Sequence, residues 1–353
     1  MNPPTHAPHI HLPTDIGQIM NNVMLALIPA TLLGFWLYGW PAINLWLVCV
    51  LAALATEALS LYLRGLTVRP TLLDGSAMLT AWLLALSLPP WAPWWIAVIG
   101  AVFALLVGKH VFGGLGQNVF NPAMIARVVL LISFPVEMTT WVAPVPLGSE
   151  QAPHFLEGLA ITFTGSGTSF DALTSASLLG HVKTEFTRGI DLQTALTGYF
   201  IPHEAIWGWH SGSLGETSAV LLLLGGIVLI VKRIITWHIP AAMLIGVLLP
   251  AVLMHALNPS HYLGLVPHLL HGGLMLGAFF IATDPVTSPN TAIGQWVFGC
   301  GCGLLTYIIR TWGNYPEGVA FAVLIMNATT PVIDHYFRPR IYGRNRKGEA
   351  LLP

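Results

Sequence analysis

Apolar runs of membrane-crossing length recur along almost the whole of this chain, and they constrain its fold more than any other feature. Ten such runs can be read: Met20–Tyr38, Ala42–Leu63, Leu72–Leu88, Trp94–Val111, Ala123–Phe134, Leu214–Val231, Trp237–Leu257, His261–Ile281, Ile293–Arg310 and Gly318–Phe337. Most approach the roughly 20 residues that a bilayer-spanning helix requires, while the third and fifth are short. Charged residues make up only 8% of the 353 residues, against roughly 25% in an ordinary soluble domain. Too few charges remain to build a water-facing surface. The expected class is therefore an all-α integral membrane protein, with the lipid bilayer as its first partner.

The positions of Lys and Arg orient the helices. With the N-terminus in the cytoplasm, the cytoplasmic side receives ten basic residues, from Arg64, Arg69 and Lys109 to the tail residues Arg338–Lys347. The opposite side receives three, Lys183, Arg188 and Arg310, and Arg127 falls inside a span. Both termini are expected inside. The long segment 135–213, too polar to span and rich in acidic residues, is expected outside.

The chain also repeats itself. LLDGSAMLTAWLLALSLPP at Leu72–Pro90 resembles LLHGGLMLGAFFIATDP at Leu269–Pro285. Each copy is followed by another apolar run, a glycine-rich break (GGLGQNVFNP at Gly113–Pro122, TWGNYPEG at Thr311–Gly318) and a fifth run. Five crossings are an odd number, so the second copy must start from the opposite face. Inverted repeats of this kind build central sites from broken helices. The expected domains are residues 1–134 and 214–337 as two inverted five-helix repeats, 135–213 as an external region, and 338–353 as a basic cytoplasmic tail.

Charged groups inside a span are costly and read by default as functional. Asp74, Arg127 and Asp284 qualify, with Glu57 near the end of its span, and Asn118 and Asn121 lie in the Gly/Pro break. The bland alternatives are that Arg127 pairs with a carboxylate between helices and that both aspartates sit at helix ends. The fourteen histidines are scattered without metal spacing, so no metal site is expected. The three cysteines read as packing residues, and many of the thirteen tryptophans as interface anchors. No basic n-region or cleavage site marks a removed signal peptide, and no basic, aromatic-interleaved patch suggests nucleic acid. In the external segment, FDALTSASLLG (Phe170–Gly180) is rich in small hydroxyls. Its local pattern suits an Asx turn with Asp171 as helix N-cap and Thr174 following.

The stretches TLLDGSAMLTAWLLALSLPP, GKHVFGGLGQNVFNPAMIAR, FIATDPVTSPNTAIGQ and GNYPEGVAFAVLIMNATTPVID, in that order, resemble the NqrB/RnfD family over nearly the full length. The resemblance implies a membrane electron-relay subunit of an Rnf-type ion-translocating ferredoxin:NAD oxidoreductase complex, in a bacterial inner membrane and not catalytic alone. In the family, FMN is linked by a phosphoester to a hydroxyl in a motif close to Asp-x-x-Ser/Thr-Gly-Ala-Thr/Ser. The matching positions here are Asp171, Thr174, Ser175, Ala176 and Ser177, which puts the acceptor at Ser177 on a periplasmic loop. Ser175 stands where Gly is usual, and Ser177 where Thr is commoner. A second, non-covalent, riboflavin-like flavin is implied between the helices. The breaks at Gly113–Pro122 and Ala282–Pro289, with Asn118, Asn121 and Asp284, are where it is sought. The implied partners are a flavin transferase and the other complex subunits: membrane helical subunits, a second flavin carrier, and NAD-binding and iron–sulfur subunits. This chain lacks both a dinucleotide fingerprint and a cluster-binding cysteine set. The competing reading is a secondary transporter or channel with an inverted five-span repeat and no flavin.

Overall fold

The computed structural model describes residues 15–165, 174–175, 177–315 and 317–338. Helices dominate, and the only sheet element among the described residues is a two-residue antiparallel pairing of β1 (Trp141–Val142) with β2 (Thr174–Ser175). The main helices are α1 (Ile16–Leu63), α2 (Ser76–Ser87), α3 (Trp94–Val102), α4 (Pro122–Ser133), α5 (Phe155–Thr164), α6 (Leu178–Thr187), α7 (Ala219–Val231), α8 (His238–Leu257), α9 (Ala292–Trp312) and α10 (Val319–Tyr336). Among them α1, α8 and α9 are long and apolar enough to cross a membrane, and α2, α3, α4, α5 and α7 belong to shorter apolar helices. Many of their large side chains, such as Leu25, Leu51, Leu253 and Leu257, face outward uncovered, as lipid contact requires.

The first two apolar runs form one helix bent at Gly39, whose φ of 74° is a left-handed value open to glycine. Pro41 follows at once and cannot donate, so carbonyls before the bend lose their helical partners. They are satisfied from the segment 135–213: Val145 N–H donates to Leu37 O at 2.8 Å, and Leu147 N–H to Trp36 O at 2.7 Å. Trp91 Nε1 completes the set on Tyr38 O at 2.9 Å.

The two similar stretches share their local geometry. Gly75 (φ 77°) and Gly272 (φ 63°) occupy matching positions and each precedes a helix start. Wide, π-helical stretches occupy Phe103–His110, continuing α3 in the fourth run, and Gly277–Ile281, at the end of the eighth run. Such widened turns leave backbone groups off register and recur at functional sites.

Helices α8 and α9 approach closely along Gly246, Gly299 and Gly303. A Cβ at Gly303 would collide with the Met243 carbonyl, and one at Gly299 would meet Ala242 and the Ile239 carbonyl. Small residues four apart allow this approach in a membrane, where helices gain nothing from expelling lipid except through packing. Gly303→Val is therefore expected to abolish the detergent-stable monodisperse protein, whereas Cys300→Val, on a half-buried position, leaves it. Size-exclusion profiles of the two variants decide this.

Candidate functional site

Between the Gly113–Pro122 and Ala282–Pro289 breaks lies an open-mouthed cleft with an internal volume of about 130 Å³. Asn118 and Asn121 line it together with Asp284, which is far from them in sequence. Asn121 caps α4 through its Oδ1, which accepts from Met124 N–H at 3.2 Å, and Pro122 fills the first helical turn. Its backbone N–H donates to Asn327 Oδ1 on α10 at 3.2 Å, and Asn327 Nδ2 donates to Thr287 O at 3.1 Å. Asn327 thus ties the Gly113–Pro122 break to the Ala282–Pro289 break. Asn118 turns back on its own loop, donating to Phe120 O at 3.1 Å. Asp284 closes an Asx turn, accepting from Val286 N–H at 3.1 Å and Thr287 Oγ1 at 3.2 Å.

Asp74 does not line the cleft. It holds the start of α2, accepting from Ser76 N–H at 2.7 Å and Ser76 Oγ at 2.5 Å. That is the helix-end role. Ser76 passes the contact inward, accepting from Lys109 Nζ at 2.9 Å. Lys109 also pairs with Glu57 at 2.8 Å, and the second Glu57 oxygen meets His110 Nε2 at 2.8 Å. Sequence reading assigned Lys109 to the cytoplasmic side as an orienting charge. It is instead buried inside the protein, with its counter-ion on α1.

The second half carries a counterpart. Arg310, the last residue of the ninth run and counted from the sequence to the outer side, is buried and donates to His268 O at 2.8 Å, His271 O at 3.0 Å and Gly272 O at 2.6 Å. The same Gly272 residue donates its N–H to Glu216 Oε2 at 2.9 Å, so one glycine bridges cation and carboxylate. Lys109, near the end of the fourth run, thus bonds the residue after Gly75, and Arg310, at the end of the ninth, bonds Gly272 itself. Arg127 pairs with Glu317, within the second half's TWGNYPEG break. Glu216 and Glu317 were not singled out by sequence reasoning. The signal available was an acidic residue beside glycine at the edge of an apolar run.

Ser177 lies elsewhere. It is the N-cap of α6, buried, with Oγ accepting from Gly180 N–H at 3.3 Å. The helix thus begins at Leu178, later than an Asp171 cap would place it. Asp171 itself lies outside the described residues, and Thr174 and Ser175 belong to β2. Leu179 packs against Gly272, midway along the eighth run, whereas Asp284 follows the end of that run.

Lys183 fastens α6 to the second half. Its ammonium donates to the carbonyls of Gly313 at 2.7 Å, Tyr315 at 2.6 Å and Ile309 at 3.4 Å. Partial burial, then the nearby Arg310 charge, pull its pKa down to about 8. The folded state therefore binds fewer protons than the unfolded chain between pH 8 and the ordinary lysine value near 10.5. Stability from this group is full above that upper value and is lost as pH falls through 8. The Tm of the wild type relative to Lys183→Met is expected to rise across that window and to stay flat below it, read by thermal unfolding in detergent.

The sequence profile of the NQR2, RnfD, RnfE family matches residues 4–343. The chain is 53% identical to the D-type subunit of the ion-translocating oxidoreductase complex of Halorhodospira halophila, over 98% of this chain and 96% of the relative. It is 55% identical to the protein of that name from Stutzerimonas stutzeri, over 96% and 95% of the two chains. With that of Rhodobacter capsulatus the identity is 47%, over 88% and 86%. The chain belongs to the NQR2, RnfD, RnfE family.

Proposed function

We propose that this chain is the membrane electron-relay subunit of an Rnf-type ion-translocating oxidoreductase complex, with FMN attached through a phosphoester to Ser177 and a second, riboflavin-like flavin in the cleft. It crosses a bacterial inner membrane ten times in two inverted halves, with both termini cytoplasmic and the Ser177 loop periplasmic. The subunit role is supported by full-length likeness to relatives of that name. The inverted arrangement is supported by the matched glycine breaks and their buried cations, Lys109 with Ser76 and Arg310 with Gly272.

The observation that carries the attachment is the Ser177 hydroxyl at the N-terminus of a ten-residue helix. A phosphate esterified there meets the first-turn N–H groups and the positive end of the helix dipole, so these residues fit the group. The departure at position 175 is tolerable on backbone grounds. Among the described residues Arg233 is the one non-glycine with positive φ, so Ser175 occupies ordinary strand backbone that does not require glycine. The cleft fits a flat heterocycle, with apolar walls such as Leu79, Leu83 and Phe279 and polar groups at Asn118, Asn121 and Asp284. When bound, the isoalloxazines supply the electron transfer; the chain's own residues hold, orient and shield them. NAD and iron–sulfur chemistry then fall to the partner subunits.

The test is peptide mass analysis of the chain co-expressed with its flavin transferase. An FMN-mass adduct on the peptide spanning 171–177 is expected. A clean peptide beside an active transferase, together with solute flux by the reconstituted chain, would transfer the case to the transporter reading.

A further inference from the structure

We propose that Lys109 is the cationic anchor of the cleft and raises the reduction potential of the heterocycle bound there. This inference rests on the cleft reading above. Lys109 and Ser76 both line the cleft. The Lys109 side chain is almost wholly buried, and its ammonium donates to Glu57 Oε1 at 2.8 Å and to Ser76 Oγ at 2.9 Å. An ammonium carries three donors. Two are taken among the described residues, which leaves the third for an acceptor in the cleft.

The pair is directional. Glu57, fully buried on α1, sits behind the ammonium, and its other oxygen is occupied by His110 Nε2 at 2.8 Å. Arg64 Nη1 lies 3.2 Å from His110 Nδ1. A guanidinium only donates, so Nδ1 accepts and Nε2 carries the hydrogen toward Glu57. The carboxylate is thereby held from both sides, with the positive end of the pair at the cleft wall. For packing alone, two apolar side chains of similar volume would serve as well as a buried ion pair, or better. Charge inside a membrane span is costly enough to point to function.

The chemistry follows from charge alone. Each electron delivered by a one-electron donor of a partner subunit adds one negative charge to the ring. No bond forms or breaks at Lys109. A cation fixed beside the ring binds the reduced form more tightly than the oxidised form, so the potential rises. Ring carbonyls of an isoalloxazine are acceptors that match the remaining N–H.

The test uses the full-length chain in lipid nanodiscs, with Ser177→Ala as background to remove any attached FMN. Flavin released by denaturation is counted, and the bound flavin is titrated by visible absorption against redox mediators. Lys109→Met is expected to lower the preference for the reduced flavin about tenfold, a downward shift of about 30 mV for a two-electron couple. Lys109→Arg is expected to keep the parent potential. If Lys109→Met fails to fold because Glu57 is left unpaired, the double variant Lys109→Met/Glu57→Gln removes both charges and is expected to show the same downward shift. Retained flavin with an unchanged potential in Lys109→Met or the double variant overturns the proposal. Absence of any releasable flavin from the parent protein overturns the cleft reading itself, and this inference with it.

Discussion

Ser177→Ala is expected to remove all covalent flavin from this chain, so that in-gel fluorescence after denaturation drops to background while the protein still accumulates in the membrane. The loss is complete because the phosphoester needs an oxygen at that Cβ. The effect on the fold is small by comparison, since the deleted hydroxyl accepts one hydrogen bond, from Gly180 N–H. Loss of an N-cap costs about 1 kcal/mol, and α6 keeps its Lys183 contacts to the second half. Thr174→Ala and Ser175→Ala should stay fluorescent, and Ser177→Thr should restore the label. Fluorescence surviving in Ser177→Ala and vanishing in Thr174→Ala would move the attachment point to β2.

The second large effect is expected at Arg127. Its partner Glu317 comes from a segment 190 residues away, and both side chains are buried. Arg127→Met leaves that carboxylate without its cation, and breaking a buried pair from one side costs about 3–5 kcal/mol. The predicted outcome is loss of folded protein in detergent. Arg127→Met/Glu317→Gln should recover most of it, because neither group is then left charged and alone. Recovery in the double variant, measured as the monodisperse fraction after solubilisation, separates a structural pair from a group the complex needs charged. A double variant that folds but no longer supports electron transfer in the assembled complex would assign Arg127 a role beyond packing.

Hydropathy made the helical segments legible because lipid imposes a length and a composition on anything that crosses it. The internal likeness was legible for a similar reason: a glycine with positive φ is hard to replace, and Gly75 and Gly272 mark the same place in each copy. Asn118, Asn121 and Asp284 could be named because polar residues in a break stand out against apolar neighbours. Their partners could not. Lys109 and Glu57 are 52 residues apart, and no local pattern says that a lysine near a glycine-rich loop turns inward rather than toward the lipid headgroups. For Arg310, counting charges gave only a side, and no local pattern shows the three carbonyl acceptors that hold it inside the protein. Near Ser177 the local pattern favoured an earlier cap at Asp171. The helix instead starts where Leu178, Leu179 and Val182 can be buried.

The bend at Gly39 has a bearing on how the protein is made. The carbonyls it frees on Trp36 and Leu37 find their donors on Val145 and Leu147, about a hundred residues further along the chain. Until that later segment is translated and threads back, those acceptors must find other donors, such as water. The first limb of α1 therefore reaches its final state only after residues 145–147 have emerged.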